Sequence, residues 1–143
     1  HVLDTTDTAT FRYVAGRLKS TGQWDDLGLT ANPGANGQIW AIAVAPDGNV
    51  YFGGTFTGMN GVAGRDYIAR YIPSTAMWET VGAGSSVTGS VRAIAIAPNG
   101  DVYVGGEFIN LGGANGDYVA YWDVSASIWV PVAAGGTPAL AIR

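Results

Sequence analysis

The segment AIAVAPDGNVYFGG at residues 41–54 returns at 93–106 as AIAIAPNGDVYVGG, differing only at Val44, Asp47, Asn49 and Phe52. A chain that writes so unusual a stretch twice must build one local structure twice, and periods of this size mark repeat architectures. The period runs further. YIARYIPSTAMWETVG (67–82) aligns with YVAYWDVSASIWVPVA (118–133) at an offset of 51, and YVAGRLKSTGQWDDLG (13–28) aligns with 67–82 at an offset of 54. ALAI at 139–142 repeats AIAI at 93–96.

Each unit reads as four short strands. The first strands are expected at 39–45, 91–97 and, truncated, 139–142; the second at 50–53 and 102–105. The third are expected at 13–18, 67–72 and 118–124, and the fourth at about 24–28, 78–82 and 129–133. Pro-Asp-Gly-Asn and Pro-Asn-Gly-Asp link the first two strands as hairpin turns, with Gly48 and Gly100 free to take positive φ. The doubled glycines Gly53–Gly54 and Gly105–Gly106 end the second strand, where backbone must bend or approach a neighbour closely.

The first strands are apolar on both sides: Ile42 and Val44, or Ile94 and Ile96, on one, and only alanines on the other. That pattern suits a strand buried on both faces where neighbouring sheets crowd together. Four-stranded units of this length repeating around an axis are the signature of a β-propeller. The predicted architecture is all-β: propeller blades of four antiparallel strands, about three per chain, with the termini supplying complementary strands of one blade. The blade pieces are about 1–37, 38–89, 90–137 and 138–143, within one domain. Trp24, Trp78 and Trp129 each open a fourth strand and are expected to wedge between blades.

VYFGGTFTGMNG…DYIARYIPSTAMWETVGAG and VYVGGEFINLGG…DYVAYWDVSASIWVPVAAG resemble the V-Y-V-G-G-x-F…W repeats of bacterial, phage and fungal cell-surface β-propellers. These stand near the kelch-like and galactose-oxidase-central-domain propellers. The resemblance covers about residues 11–142 and implies an extracellular, cell-surface or virion module for adhesion or tail structure. The first unit departs from it, with Gly16-Arg17 in its third strand and no VGG before it.

Composition narrows the function classes. A net charge of −4 argues against nucleic acid or an anionic membrane as partner. Only 13% of residues are charged and 22 are glycine, which fits a Gly-punctuated β protein. There is no cysteine, and no apolar run approaches the roughly 18 residues of a spanning helix. Beginning at His1 rather than Met, the chain is expected to be a processed or trimmed product.

No catalytic motif emerges, and no enzyme is expected. His1 is the only histidine, too little for a Ser–His–Asp or Cys–His arrangement or for a zinc site. The candidate acids for glycoside hydrolysis (Asp4 and Asp7, Asp25 and Asp26, Asp66 and Glu79, and Glu107 with Asp117 and Asp123) include several with structural readings. Asp47 and Asp101 belong to hairpin turns, and Asp66 and Asp117 recur before a tyrosine. No cofactor is expected. Calcium is the one ionic option, from Glu107, Asn110, Asn115 and Asp117 in GEFINLGGANGD (106–117), although this run misses the G-G-x-G-x-D spacing.

Surface loops and chain ends remain. The links at 54–66 and 106–117 carry Thr57, Asn60, Arg65, Glu107, Asn110 and Asn115 as candidate ligand contacts. Trp40 and Trp122 break the repeat, facing Arg92 and Tyr71 in the other unit, so either could stack on a sugar face. Val2 and Leu3 at one end, with Ala139, Leu140, Ala141 and Ile142 at the other, are candidate assembly strands. Orphan strands are exposed edges, which proteins seldom leave open. The expected partner is a second copy, through strand exchange into a closed ring or a fibre, or else the remainder of a longer propeller. A lectin-like module binding a surface glycan is the alternative.

Overall fold

A computed structural model describes residues 17–18, 21–25, 34–59, 62, 64–82, 87–113 and 117–132. Their elements are β1 (Arg17–Leu18), β2 (Trp24–Asp25), β3 (Ile39–Val44), β4 (Val50–Gly54), β5 (Ile68–Ile72) and β6 (Met77–Thr80). β7 (Val91–Ile96), β8 (Val102–Gly106), β9 (Val119–Asp123) and β10 (Ile128–Pro131) follow. β3-β4-β5-β6 and β7-β8-β9-β10 form two four-stranded antiparallel meanders, and β1 pairs with β2. The chain is all-β over these residues, with no helix among them.

The hairpins form as the turn residues dictate. Gly48 and Gly100 hold φ of +86° and +94°, and each donates its N–H to the carbonyl of Ala45 or Ala97 at 2.9 Å. Asp47 Oδ1 accepts the Asn49 N–H at 3.0 Å, while Asp101 Oδ1 accepts the Val124 N–H at 3.2 Å. The third strands begin one residue later than their sequence suggests. Tyr67 and Tyr118 stand at φ of +62° and +65°, outside the extended region. In return each bridges two segments: Tyr67 N–H donates to Phe56 O and Tyr67 O accepts from Gly54 N–H, as Tyr118 does with Phe108 and Gly106.

The two sheets stack through unlike faces. In the first, Ile42, Val44, Val50, Phe52, Ala69, Tyr71 and Trp78 share one face by register, and Ala41, Ala43, Tyr51, Gly53 and Ile68 share the other. In the second sheet, Ile94, Ile96, Val102, Val104, Ala120, Trp122 and Trp129 form the face equivalent to the first of these. That face packs on the alanine-and-tyrosine side of the first sheet, giving one core with Ala45, Tyr51, Ile68, Val81, Val91, Val102, Val104, Trp122 and Trp129. Trp129 lies within it, donating its indole N–H at 3.3 Å to the carbonyl of Val81, the residue that follows β6. At the closest approach a Cβ on Gly53 would come 2.6 Å from Val91 Cγ1, so only glycine fits.

A second core fills the other side of the first sheet, where Val50, Phe52, Tyr71 and Trp78 pack with Ala35, Phe56 and Met59. Trp78 meets Phe52 and Tyr71 at ring separations of 5.1 and 5.2 Å. Burial of β3 on both faces, expected from its composition, does not hold. Ile42 is 56% and Val44 65% exposed, whereas their equivalents Ile94 and Ile96 are packed against the inter-sheet core. The reason is positional: the first sheet covers Ile94 and Ile96, and no described strand stands in that relation to Ile42 and Val44.

Candidate functional site

Two places on the molecule depart from simple repetition, one at the start of the first strands β3 and β7 and one on β3 alone. The first is a rim cluster. Ile39 pairs with Gly54 and Ala41 with Gly53, leaving Trp40 as the surplus residue of a bulge; Arg92 is surplus in the same way between Val91 and Ala93. Bulges re-aim side chains. Here they bring the two together: the Arg92 guanidinium carbon lies 4.1 Å from the Trp40 ring centroid. Glu107 Oε1 accepts from Arg92 Nε at 3.0 Å and from Nη2 at 2.6 Å, and Trp40 donates its indole N–H to Gln38 Oε1 at 3.1 Å. Trp40 is 37% exposed, and Arg92 and Glu107 are open to solvent.

This cluster sits where each second-to-third-strand loop closes on the start of β3 or β7. Thr55 N–H donates to Gln38 O at 2.9 Å and Glu107 N–H to Ser90 O at 2.8 Å. Farther along, Asn36 exchanges two bonds with Thr57, at 3.2 and 2.8 Å, and Thr88 exchanges two with the backbone of Ile109. The loops are therefore pinned, and the glycines of the repeat explain why. A Cβ on Gly54 would collide with the Gln38 carbonyl, and one on Gly106 with that of Ser90.

The remaining loop residues have specific placements. Arg65 turns inward, donating to Trp78 O at 2.6 Å and Met59 O at 3.3 Å, and so fastens its loop to β6. Burial lowers its pKa, partly countered by Glu79. Asn110 is exposed at φ +57°, and its N–H donates to Asp117 Oδ1 at 2.8 Å. Thr57 is exposed beside Asn36, while Asn60 and Asn115 lie outside the described residues.

Trp122 is only 9% exposed and packs edge-on to Trp129 at 5.5 Å, so the fold spends its indole on the inter-sheet core. Arg70 and Glu79 form an ion pair near Tyr51. Burial pulls Arg70 down, and the Tyr51 and Glu79 contacts more than offset it. Of the proposed calcium residues, Glu107 is engaged by Arg92 and Asp117 by the Asn110 backbone; no cluster of three His, Asp or Glu side chains suited to a cation occurs among the described residues.

The second place is the Ile42–Val44 strip itself, an apolar surface one strand wide on an otherwise packed face. Val2, Leu3 and Ala139–Ile142, the candidate assembly strands, lie outside the described residues.

No protein-family model matches the chain, and no curated protein matches it. Its own repeat is thus the internal standard. Positions 40 and 92, and 55 and 107, are equivalent by register yet differ in chemistry, which singles out Trp40, Arg92 and Glu107 as the part of the rim that folding alone does not dictate. The broken repeat points to Trp40 in the sequence, and Glu107 enters as a loop residue; Arg92 carries the same signal as Trp40 and stands there only as its counterpart.

Proposed function

We propose that the chain is a non-catalytic structural and interaction module. Its two sheets act as neighbouring blades of a β-propeller-type repeat and work by assembly. The observation that carries this reading is the stacking of unlike faces with inner strands side by side. A contact between unlike faces does not close on itself; it continues until a ring shuts or a filament grows. The resemblance to cell-surface and virion repeats supports an extracellular setting, with a second copy or the rest of a longer propeller as partner. Sedimentation together with electron microscopy tests it: rings or fibres of several chains are expected, and a stable monodisperse monomer in dilute solution removes the second copy as partner.

A second reading is favoured by Trp40 alone. An exposed indole on a bulge, with the Arg92 guanidinium stacked over its ring, suits a lectin-like contact with a surface glycan. Binding on a glycan array that vanishes with Trp40→Ala, while the fold persists, favours this reading; no glycan binding removes it.

A further inference from the structure

We infer that Trp40, Arg92 and Glu107 together take an uncharged pyranose, holding it through two of its adjacent hydroxyls. The inference rests on the lectin-like reading above and names the class of sugar that the rim cluster fits.

The trio is poorly explained as a fastening. The apolar core and the Trp129 bond already hold the two sheets together, and exposed ion pairs add little to stability. The Arg92 and Glu107 side chains are 54% and 55% exposed. At the equivalent positions the first unit carries Trp40 and Thr55, and it builds the same strands without an ion pair there.

The charges of the pair cancel, and its hydrogen-bonding capacity is only half used. Arg92 gives both Nε and Nη2 to one oxygen, Glu107 Oε1, at 3.0 and 2.6 Å. Among the described residues, Arg92 Nη1 and Glu107 Oε2 have no hydrogen-bond partner. The pair thus offers solvent a donor and an acceptor side by side, with no net charge. A hydroxyl can play either part, so one of two neighbouring hydroxyls accepts from the guanidinium while the other donates to the carboxylate. A ligand carboxylate or phosphate would stand against Glu107, and the net charge of −4 opposes it further. An ammonium would stand against Arg92. A neutral sugar meets neither penalty.

Trp40 supplies the apolar half of the contact. Its indole N–H is taken by Gln38 at 3.1 Å, so what the exposed ring has left to offer is carbon. Pyranoses carry C–H faces that lie against aromatic carbon, and tryptophan brings a large, rigid surface of that kind. With the Arg92 guanidinium 4.1 Å from the ring centroid, the polar pair stands beside that surface. The parts are also held in place beforehand. Gln38 exchanges two hydrogen bonds with Thr55, both at 2.9 Å, and the Glu107 N–H is bonded to Ser90 O. A site already ordered gives up little on binding.

Saturation-transfer NMR on the whole chain tests the inference. The probes are the methyl glycosides of glucose, mannose and galactose, set against those of glucuronic and galacturonic acid. At least one neutral glycoside is expected to bind, and its analogue lacking one of the two adjacent hydroxyls to bind about tenfold more weakly. Trp40→Ala and Arg92→Ala are expected to weaken binding at least as much, with circular dichroism unchanged. Glu107→Gln removes the charge that offsets Arg92 and is expected to turn the preference toward the uronic acids. The deoxy analogues are read on the wild-type chain, so the test stands even where a variant does not fold. Wild-type preference for the uronic acids overturns the inference and leaves the lectin-like reading standing. So does neutral-sugar binding that Trp40→Ala abolishes while Arg92→Ala and Glu107→Gln leave it intact. Where none of these glycosides binds, the inference is overturned; where a glycan array is blank as well, so is the reading beneath it.

Discussion

Gly54 and Gly106 sit where the second strand of each sheet passes under the carbonyl of the residue preceding its first strand. Either one changed to alanine forces backbone apart, so chemical denaturation is expected to show a loss of about 3 kcal/mol or more. Gly48→Ala, which meets no neighbour but must keep φ +86°, is expected to cost only about 1 kcal/mol. Asp123 adds a titration. Its carboxylate accepts from Ser125 Oγ at 2.7 Å and from the N–H groups of Ser125 and Ala126, each at 2.9 Å. The Ser125 hydroxyl, the largest cause, and these amides hold its pKa below 3.8. A depressed carboxylate stabilises the fold above its unfolded value and loses that contribution as pH falls through the folded one. Denaturation midpoints of wild type and Asp123→Asn should therefore converge below about pH 3.9 and separate above it. The doubled glycines were legible in the sequence because close approach is a common reason for two glycines at a strand end. The left-handed tyrosines were not: Tyr67 and Tyr118 read as good strand residues, and only the bonds to Phe56 and Phe108 reveal what holds them outside the extended region.

Among the elements, the order and pairing of the eight strands from β3 to β10 followed from the repeat, with bounds off by one residue and, at the ends of the fourth strands, by two. What periodicity could not supply was the occupant of each face. Trp122 and Trp40 both look like departures from the repeat, yet one is packed against Trp129 and the other stands at the rim, because one occupies a regular ladder position and the other a bulge. The turns joining the third and fourth strands hold Ala76 and Ser127 at φ +54°. Ala76→Gly is expected to raise stability by about 0.5 kcal/mol, the relief of left-handed strain less the entropy of glycine, read from a thermal or urea midpoint. Between the sheets, Trp129→Phe is expected to cost about 1 kcal/mol through the lost bond to Val81 O. Trp129→Ala is expected to cost about 3–5 kcal/mol through the cavity it opens.

For the whole molecule, the sequence made the repeat plain, but neither the unlike-face stacking nor which first strand would stand uncovered. AIAVA and AIAIA carry the same message, and only position in the chain separates exposed Ile42 from packed Ile94. An association that covered the exposed Ile42 and Val44 would be apolar. Sedimentation velocity should show it strengthening on warming from roughly 5 to 25 °C, as apolar burial does. Raising salt from about 0.1 to 1 M should not dissolve it, in contrast to a contact held by exposed charges.

The bulges at Trp40 and Arg92 have a consequence for how such a chain can diversify. A surplus residue carries no ladder partner to satisfy, so its identity can change without disturbing the strands on either side. Every added unit would bring one more freely chosen side chain to the same edge, next to the one before it, as Arg92 now lies over Trp40. A scaffold copied for rigidity thereby acquires a row of positions whose chemistry can be rewritten one at a time.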